Sequence, residues 1–266
     1  MSRLQLADVE LYFEEHGAGR PLLLIAGLAS DSQSWLPAVP ALAARHRVIV
    51  VDNRGCGRTL PQDAPCSIAR MADDCAALLG HLGLARVDVV GHSMGGFVAQ
   101  SLAARYPEQV DQLVLAATAA SNSPRNDLLF RAWAAAMAAG QDPAQWLLQL
   151  LLWILSPRFF ADPAAVRAAI DYGLTYPYPQ AATAFAAQVE ALCSFDGTAA
   201  LSRLPPRTLV LAGADDVLFP LTVCRELQAA IPGAALAVID GAAHSIALEQ
   251  PAAFAAAVLG FVDGGR

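Results

Sequence analysis

The chain has 266 residues with 17 basic and 24 acidic side chains, a formal net charge of −7, and every one of the 17 cations is arginine. A chain without lysine cannot use its own amine for Schiff-base catalysis, anchor pyridoxal phosphate, run a Ser–Lys dyad or hold phosphate with a P-loop lysine. Arginines scattered singly over an acidic chain also speak against nucleic acid, which needs clustered positive charge to displace counterions.

The length suits one large α/β domain or two ordinary ones. The hydrophobic fraction is 56% against 15% charged, and much of it is alanine, which suits helices. The greasiest uncharged stretch, 143–157, is interrupted by Gln145 and Gln149 and falls short of the roughly 20 apolar residues that cross a bilayer. Asp8, Glu10, Glu14 and Glu15 stand where a signal peptide would need an apolar run. Five cysteines, an odd number without C-x-x-C spacing, predict free thiols in a reducing compartment and a cytoplasmic protein.

In chain order, Val9, Leu11 and Phe13 alternate with Glu10, Tyr12 and Glu14, which with Leu4 and Leu6 predicts an edge hairpin. Short runs apolar on both faces follow at 21–25, 48–51, 87–90, 113–116, 208–211 and 235–239, the pattern of a parallel sheet covered by helices. Helical patterns at 68–82 and 97–106 lie between them, so a doubly wound α/β architecture is expected. From 121 to 196 the alternation stops. That segment carries Trp133, Met137, Trp146, Trp153, Phe159, Phe160, Tyr172 and Phe185 and is expected to form about four helices inserted between two strands. Segments 1–120 and 197–266 would form the sheet-bearing core. Loops at the carboxyl ends of parallel strands are where such sheets place ligand sites.

The most informative letters are Gly91-His92-Ser93-Met94-Gly95-Gly96. G-x-S-x-G alone is a weak signal, but an apolar strand runs into it and a helix leaves it. A serine at so sharp a turn sits in a strained backbone, with its hydroxyl at the first turn of a helix whose free N–H groups favour negative charge. The hydroxyl needs a base, and histidine is the usual one. His46 and His81 read as helix-closing residues, His16 as part of a hairpin turn, and His92 as facing away from its neighbour Ser93. His244, on the loop after the last strand and before the helix opened by Pro251, is expected at the same sheet edge as Ser93. An acid to orient the imidazole can come from Asp215 or Asp216, after strand 208–211; the loop after 113–116 has none. The order Ser, Asp, His belongs to one fold.

These pieces resemble the α/β-hydrolase superfamily: the elbow around Ser93, the turn Asp52-Asn53-Arg54-Gly55-Cys56-Gly57-Arg58-Thr59, Gly213-x-x-Asp216-x-x-x-Pro220, and His244 followed by Glu249-Gln250-Pro251. The resemblance implies an α/β-hydrolase fold with a mostly parallel central sheet flanked by helices, and segment 121–196 as a helical cap. It favours Asp216 over Asp215, giving Ser93, Asp216 and His244 as catalytic residues. It assigns the oxyanion hole to the backbone N–H groups of Leu28 and Met94. The family's His-Gly after the third strand is Ile25-Ala26-Gly27-Leu28 here, so Ala26 alters the loop while Gly27 keeps its turn. The 52–59 turn is mainly structural in the family, with Asp52 and Arg54 pinning loops.

A serine at the elbow argues against the aspartate-dependent dehalogenases and epoxide hydrolases. The expected activity is hydrolysis of a small carboxylic ester through an acyl-enzyme, on an apolar or aromatic substrate, with no metal and no cofactor. Stretches 35–59 and 87–117 are most similar to carboxylesterases and 3-oxoadipate enol-lactonases; carbon–carbon hydrolases and cofactor-free perhydrolases share the machinery, and a slow-turnover ligand receptor would carry the same residues. Arg125, Arg131, Arg158 and Arg167 are candidates to meet a substrate carboxylate.

Overall fold

The computed structural model describes residues 2–205 and 207–264, so the outer limits of the expected core, residues 1 and 266, lie outside them. Along the chain run β1 (Ser2–Gln5), β2 (Glu10–His16), β3 (Arg20–Ile25), α1 (Val39–Ala43), β4 (His46–Val51), α2 (Ile68–His81), β5 (Val87–His92), α3 (Met94–Arg105) and β6 (Val110–Ala116). Four helices follow: α4 (Pro124–Ala138), α5 (Pro143–Ile154), α6 (Pro163–Leu174) and α7 (Ala182–Cys193). The chain then returns through β7 (Thr208–Gly213), α8 (Leu221–Ala230), β8 (Ala235–Ile239), α9 (Ile246–Glu249) and α10 (Pro251–Asp263).

The eight strands form one sheet in the order β1-β2-β4-β3-β5-β6-β7-β8. The β1–β2 and β2–β4 pairs are antiparallel and the others parallel. Alternate residues of each central strand enter opposite layers, which is why the runs read as apolar on both faces. Leu23, Ile25, Val89, Leu113, Leu115 and Val210 pack with α2 and α3. Leu22, Leu24, Val48, Val90, Val114 and Leu211 pack with Trp35, Leu42, Phe254 and Val258 on the other side. The chain crosses from β4 to β5 over β3, so the strand order reverses between β3 and β5, the place where such sheets open a crevice at their carboxyl edge.

Strand ends extend beyond the apolar runs because buried polar pairs continue them. β3 begins at Arg20, which reaches both Asp88 on β5 and Asp111 on β6, and Gln112 donates to the Val262 carbonyl at 2.9 Å. His46 opens β4 rather than closing α1; its ring is buried between the Arg20 carbonyl and Asp263, both at 3.2 Å. His81 does close α2. Three prolines of the insertion are helix starts: Pro124, Pro143 and Pro163 follow Ser123, Asp142 and Asp162, whose side chains cap α4, α5 and α6. An antiparallel bridge between Ser121 and Asp196 draws the two ends of the helical segment together.

Burial, with Asp111 nearby, raises the Asp88 carboxyl to about 6 despite Arg20. The folded chain therefore holds a proton that the unfolded chain releases near 3.8, and stability falls as pH rises between those values, by up to about 3 kcal/mol. Asp88→Asn removes that cost: in urea titrations, the stability of the variant relative to the parent should improve from pH 4.5 to pH 8.

Candidate active site

Ser93 joins β5 to α3 at φ 56° and ψ −121°, a region that costs of order 1–3 kcal/mol for a side-chain-bearing residue. Three bonds fix it there. Its N–H donates to the Ala116 carbonyl at 2.9 Å, and its carbonyl accepts from Gly96 N–H at 2.8 Å and Thr118 Oγ1 at 2.9 Å. The glycines around it are forced by contact. A Cβ on Gly91 would stand 2.3 Å from the Gly95 carbonyl, one on Gly95 2.1 Å from the Ile25 carbonyl, and one on Gly96 2.6 Å from Thr118. The helix thus begins at Met94, three residues before the apolar pattern suggested, because its first turn is chosen for clearance rather than for propensity.

The loop after β3 comes within the same crowd. A Cβ on Gly27 would lie 3.0 Å from Ser93 Cβ, and Asn53 Nδ2 holds the Ala26 carbonyl at 3.0 Å. Ala26 therefore leaves the turn intact. Leu28 directly follows Gly27 in this loop and Met94 directly follows Ser93 at the start of α3, so both N–H groups belong to the two segments that meet here. The 52–59 turn buttresses this loop: Asp52 accepts from Ser32 N–H and Arg58 N–H, each at 2.8 Å, while Arg54 is bound by Asp8 and Asp74.

Asp216 and His244 meet from β7 and β8. His244 Nδ1 lies 3.0 Å from Asp216 Oδ2, and Asp216 Oδ1 accepts from Leu218 N–H at 2.8 Å and Phe219 N–H at 3.0 Å. Burial works against the Asp216 charge, but His244 and these two N–H groups together hold its carboxyl below the ordinary range. Asp215 points away and is exposed, so the geometry separates the two aspartates. The imidazole stacks on Phe219 at 5.7 Å between centroids and lies 4.9 Å from the His92 ring. Among the described residues no hydrogen bond joins Ser93 Oγ to His244. What links the two loops is His92, whose Nε2 lies 2.8 Å from the His244 carbonyl. That contact was not legible in the sequence, which placed His92 as facing away from Ser93.

A cavity of about 1530 Å³ opens beside these residues, between the loops after β3 and β8 and helices α5 and α6. His92 and Ser245 line it next to Ser93 and His244; Trp146, Leu147, Leu150 and Ile154 give it an apolar wall, and Tyr176 and Tyr178 a polar one. Trp133, Trp146 and Phe185 belong to the buried core. Of the four candidate arginines only Arg158 lines the cavity; Arg131 pairs with Glu190, and Arg125 donates to the Val217 carbonyl and lies over Trp153. Among the described residues no cluster of three or more His, Cys, Asp or Glu could hold a metal, and no helix is long and apolar enough to cross a membrane.

A strained serine elbow at the switch point of this sheet defines a hydrolase of the α/β class. Residues 20–251 match the family model for the alpha/beta hydrolase fold, and the chain belongs to that family. It is 34% identical over 259 residues to the "Putative carbamate hydrolase RutD" of Azorhizobium caulinodans, covering 96% of this chain and 95% of that one. It superposes on a thermophilic esterase from Thermogutta terrifontis with a TM-score of 0.87 at 28% identity, covering 99% of each chain. The enol-lactonase of Burkholderia xenovorans shares the fold at a TM-score of 0.84 and 24% identity, covering 98% of this chain and 100% of that one.

Burial, with His244 beside it, lowers the His92 imidazole to about 4, so it is neutral at pH 7. The unfolded chain takes up that proton near 6.5, so stability is lost as pH falls from there towards 4, by up to about 3 kcal/mol. In urea titrations at pH 7.5 and pH 4.5, the parent should lose more stability on acidification than His92→Gln does.

Proposed function

We propose that this hydrolase cleaves a small carboxylic ester by an acyl-enzyme mechanism, with Ser93 as nucleophile, His244 as base and Asp216 as its orienting acid. The observation that carries the reading is the Asp216–His244 pair at 3.0 Å on the same sheet edge as the strained Ser93 elbow. Asp216 accepts from Nδ1–H, which leaves Nε2 as the basic nitrogen. Ser93 Oγ attacks the ester carbonyl carbon as His244 takes its proton, and the oxyanion is held by the N–H groups of Leu28 and Met94. Each such donor is typically worth about 3–4 kcal/mol of transition-state stabilisation. The tetrahedral adduct collapses, and the departing alcohol takes the proton from His244. Water then attacks the acyl-serine with His244 again as base, releasing the acid and restoring the serine.

Segment 121–196 acts in this reading as a cap over the site, with 1–120 and 197–266 as the catalytic core. The apolar wall of α5 supports a substrate with an apolar or aromatic group, and the protein would work in the cytoplasm. Similarity to the protein named a carbamate hydrolase favours a second reading, since a carbamate offers the same carbonyl and would pass through a carbamoyl-serine. An ester and carbamate panel with matched leaving groups separates the two by kcat/KM.

Ser93→Ala should reduce hydrolysis of short p-nitrophenyl esters by at least about 10³-fold and abolish labelling by a fluorophosphonate. Hydrolysis at the parent rate would refute the assignment, and turnover stopping after one equivalent would favour a receptor over an enzyme. Asp216→Asn should lower kcat by about 10⁴-fold, through the wrong imidazole tautomer, whereas Asp215→Asn should leave it near the parent value.

A further inference from the structure

The segment carrying His244 is held by the sheet edge on one side, where Asp215 N–H after β7 donates to the Ala242 carbonyl at 2.9 Å, and by the helical segment on the other. At its flanking peptides His92 at the end of β5 reaches the His244 carbonyl, Ser245 N–H donates to the Ile154 carbonyl at 2.9 Å, and Ala243 N–H donates to Glu249 Oε2 at 2.7 Å. The second carboxylate oxygen of Glu249, Oε1, accepts from Ser156 N–H at 2.9 Å, just beyond the end of α5. One carboxylate therefore spans from the residue before His244 to the helical segment. Among the described residues Glu249 has no cationic partner, so its two main-chain donors account for its bonding. Such charge-assisted bonds are about twice as strong as neutral ones.

We propose that Glu249 is a positioning residue that couples docking of the helical segment 121–196 to the placement of the His244 imidazole. The proposal rests on the serine-hydrolase reading for its kinetic consequence but not for the tie itself. When α5 is seated, Ser156 and Ile154 clamp both flanks of His244, one directly and one through Glu249. When α5 lifts, both clamps go together, and the base loses its aim at Ser93 while Asp216 can still hold Nδ1. The side chain must present an acceptor at both ends. Glutamine presents an acceptor at one end and N–H donors at the other, where they oppose a main-chain N–H. Aspartate keeps the charge but is one methylene too short to span both donors.

The experiment compares the parent with Glu249→Gln and Glu249→Asp by two readouts. One is the rate of fluorophosphonate labelling of Ser93; the other is the rate of trypsin cleavage after the exposed Arg158, two residues beyond Ser156, followed by mass spectrometry. Both variants should label at least tenfold more slowly and be cut after Arg158 several-fold faster, with thermal unfolding still cooperative. Labelling at the parent rate in both variants overturns the proposal. So does slower labelling with unchanged protection of Arg158, which would confine Glu249 to its own loop. If the parent itself is not labelled, the serine-hydrolase reading fails, and trypsin alone judges the tie: faster cutting supports it and unchanged cutting refutes it. Should one variant fail to unfold cooperatively, the other decides.

Discussion

The structure depends on a near-collision of main chains at the point where the strand order reverses. Gly95, in the first turn of α3, lies so close to the end of β3 that a single added carbon would meet the Ile25 carbonyl at 2.1 Å. Everything at the site follows from that approach. It brings the first turn of α3 against the loop carrying Leu28, and it forces Ser93 into a positive φ between a strand and a helix that cannot separate. The strain at Ser93 is met by three hydrogen bonds from β6, α3 and Thr118, so it is stored in a well-braced corner rather than in a mobile loop.

The other half of the site is built differently. Asp216 is fixed through the N–H groups of Leu218 and Phe219, and its turn is tied to α4 by Asn126, which donates to the Leu218 carbonyl at 2.8 Å, and by Arg125, which donates to the Val217 carbonyl at 3.0 Å. His244 likewise takes part of its support from the helical segment, from Ile154 directly and from Ser156 through Glu249. The helical segment thus reaches both the Asp216 turn and the His244 loop, whereas the main chain of Ser93 is braced by β6, α3 and Thr118. A neutral His92, lying between the two loops, adds a bond without adding charge beside the imidazole.

Further ties run across the same gap. Tyr176 donates to Asp31 in the loop after β3, Gln188 donates to the Arg54 carbonyl at 2.7 Å, and Gln180 to the Gly55 carbonyl at 2.6 Å. The helical segment is therefore stitched to the core by polar bonds and by aromatic packing, where Phe195 stacks on Phe97 of α3 at 5.0 Å between centroids.

By itself the sequence determined the sheet class, the order of strands and helices, the serine elbow and the family, because these are written in short-range patterns. They are apolar runs of strand length, the helical patterns between them, and the glycines around Ser93. It also placed His244 and the pair Asp215 and Asp216 at one edge, since loops after parallel strands share that edge, and left the choice of Asp216 to the family resemblance. It could not read the buried role of His46, the strand residues Asp111 and Gln112, the contact of His92 with the His244 loop, or the reach of Glu249. Each depends on partners tens to hundreds of residues away in the chain, and a polar side chain carries no periodic signal of whom it will bond. Tertiary structure alone decided those, because a hydrogen bond is specified by position in space to within a few tenths of an ångström, whereas a hydrophobic pattern is specified by which face of an element must leave water.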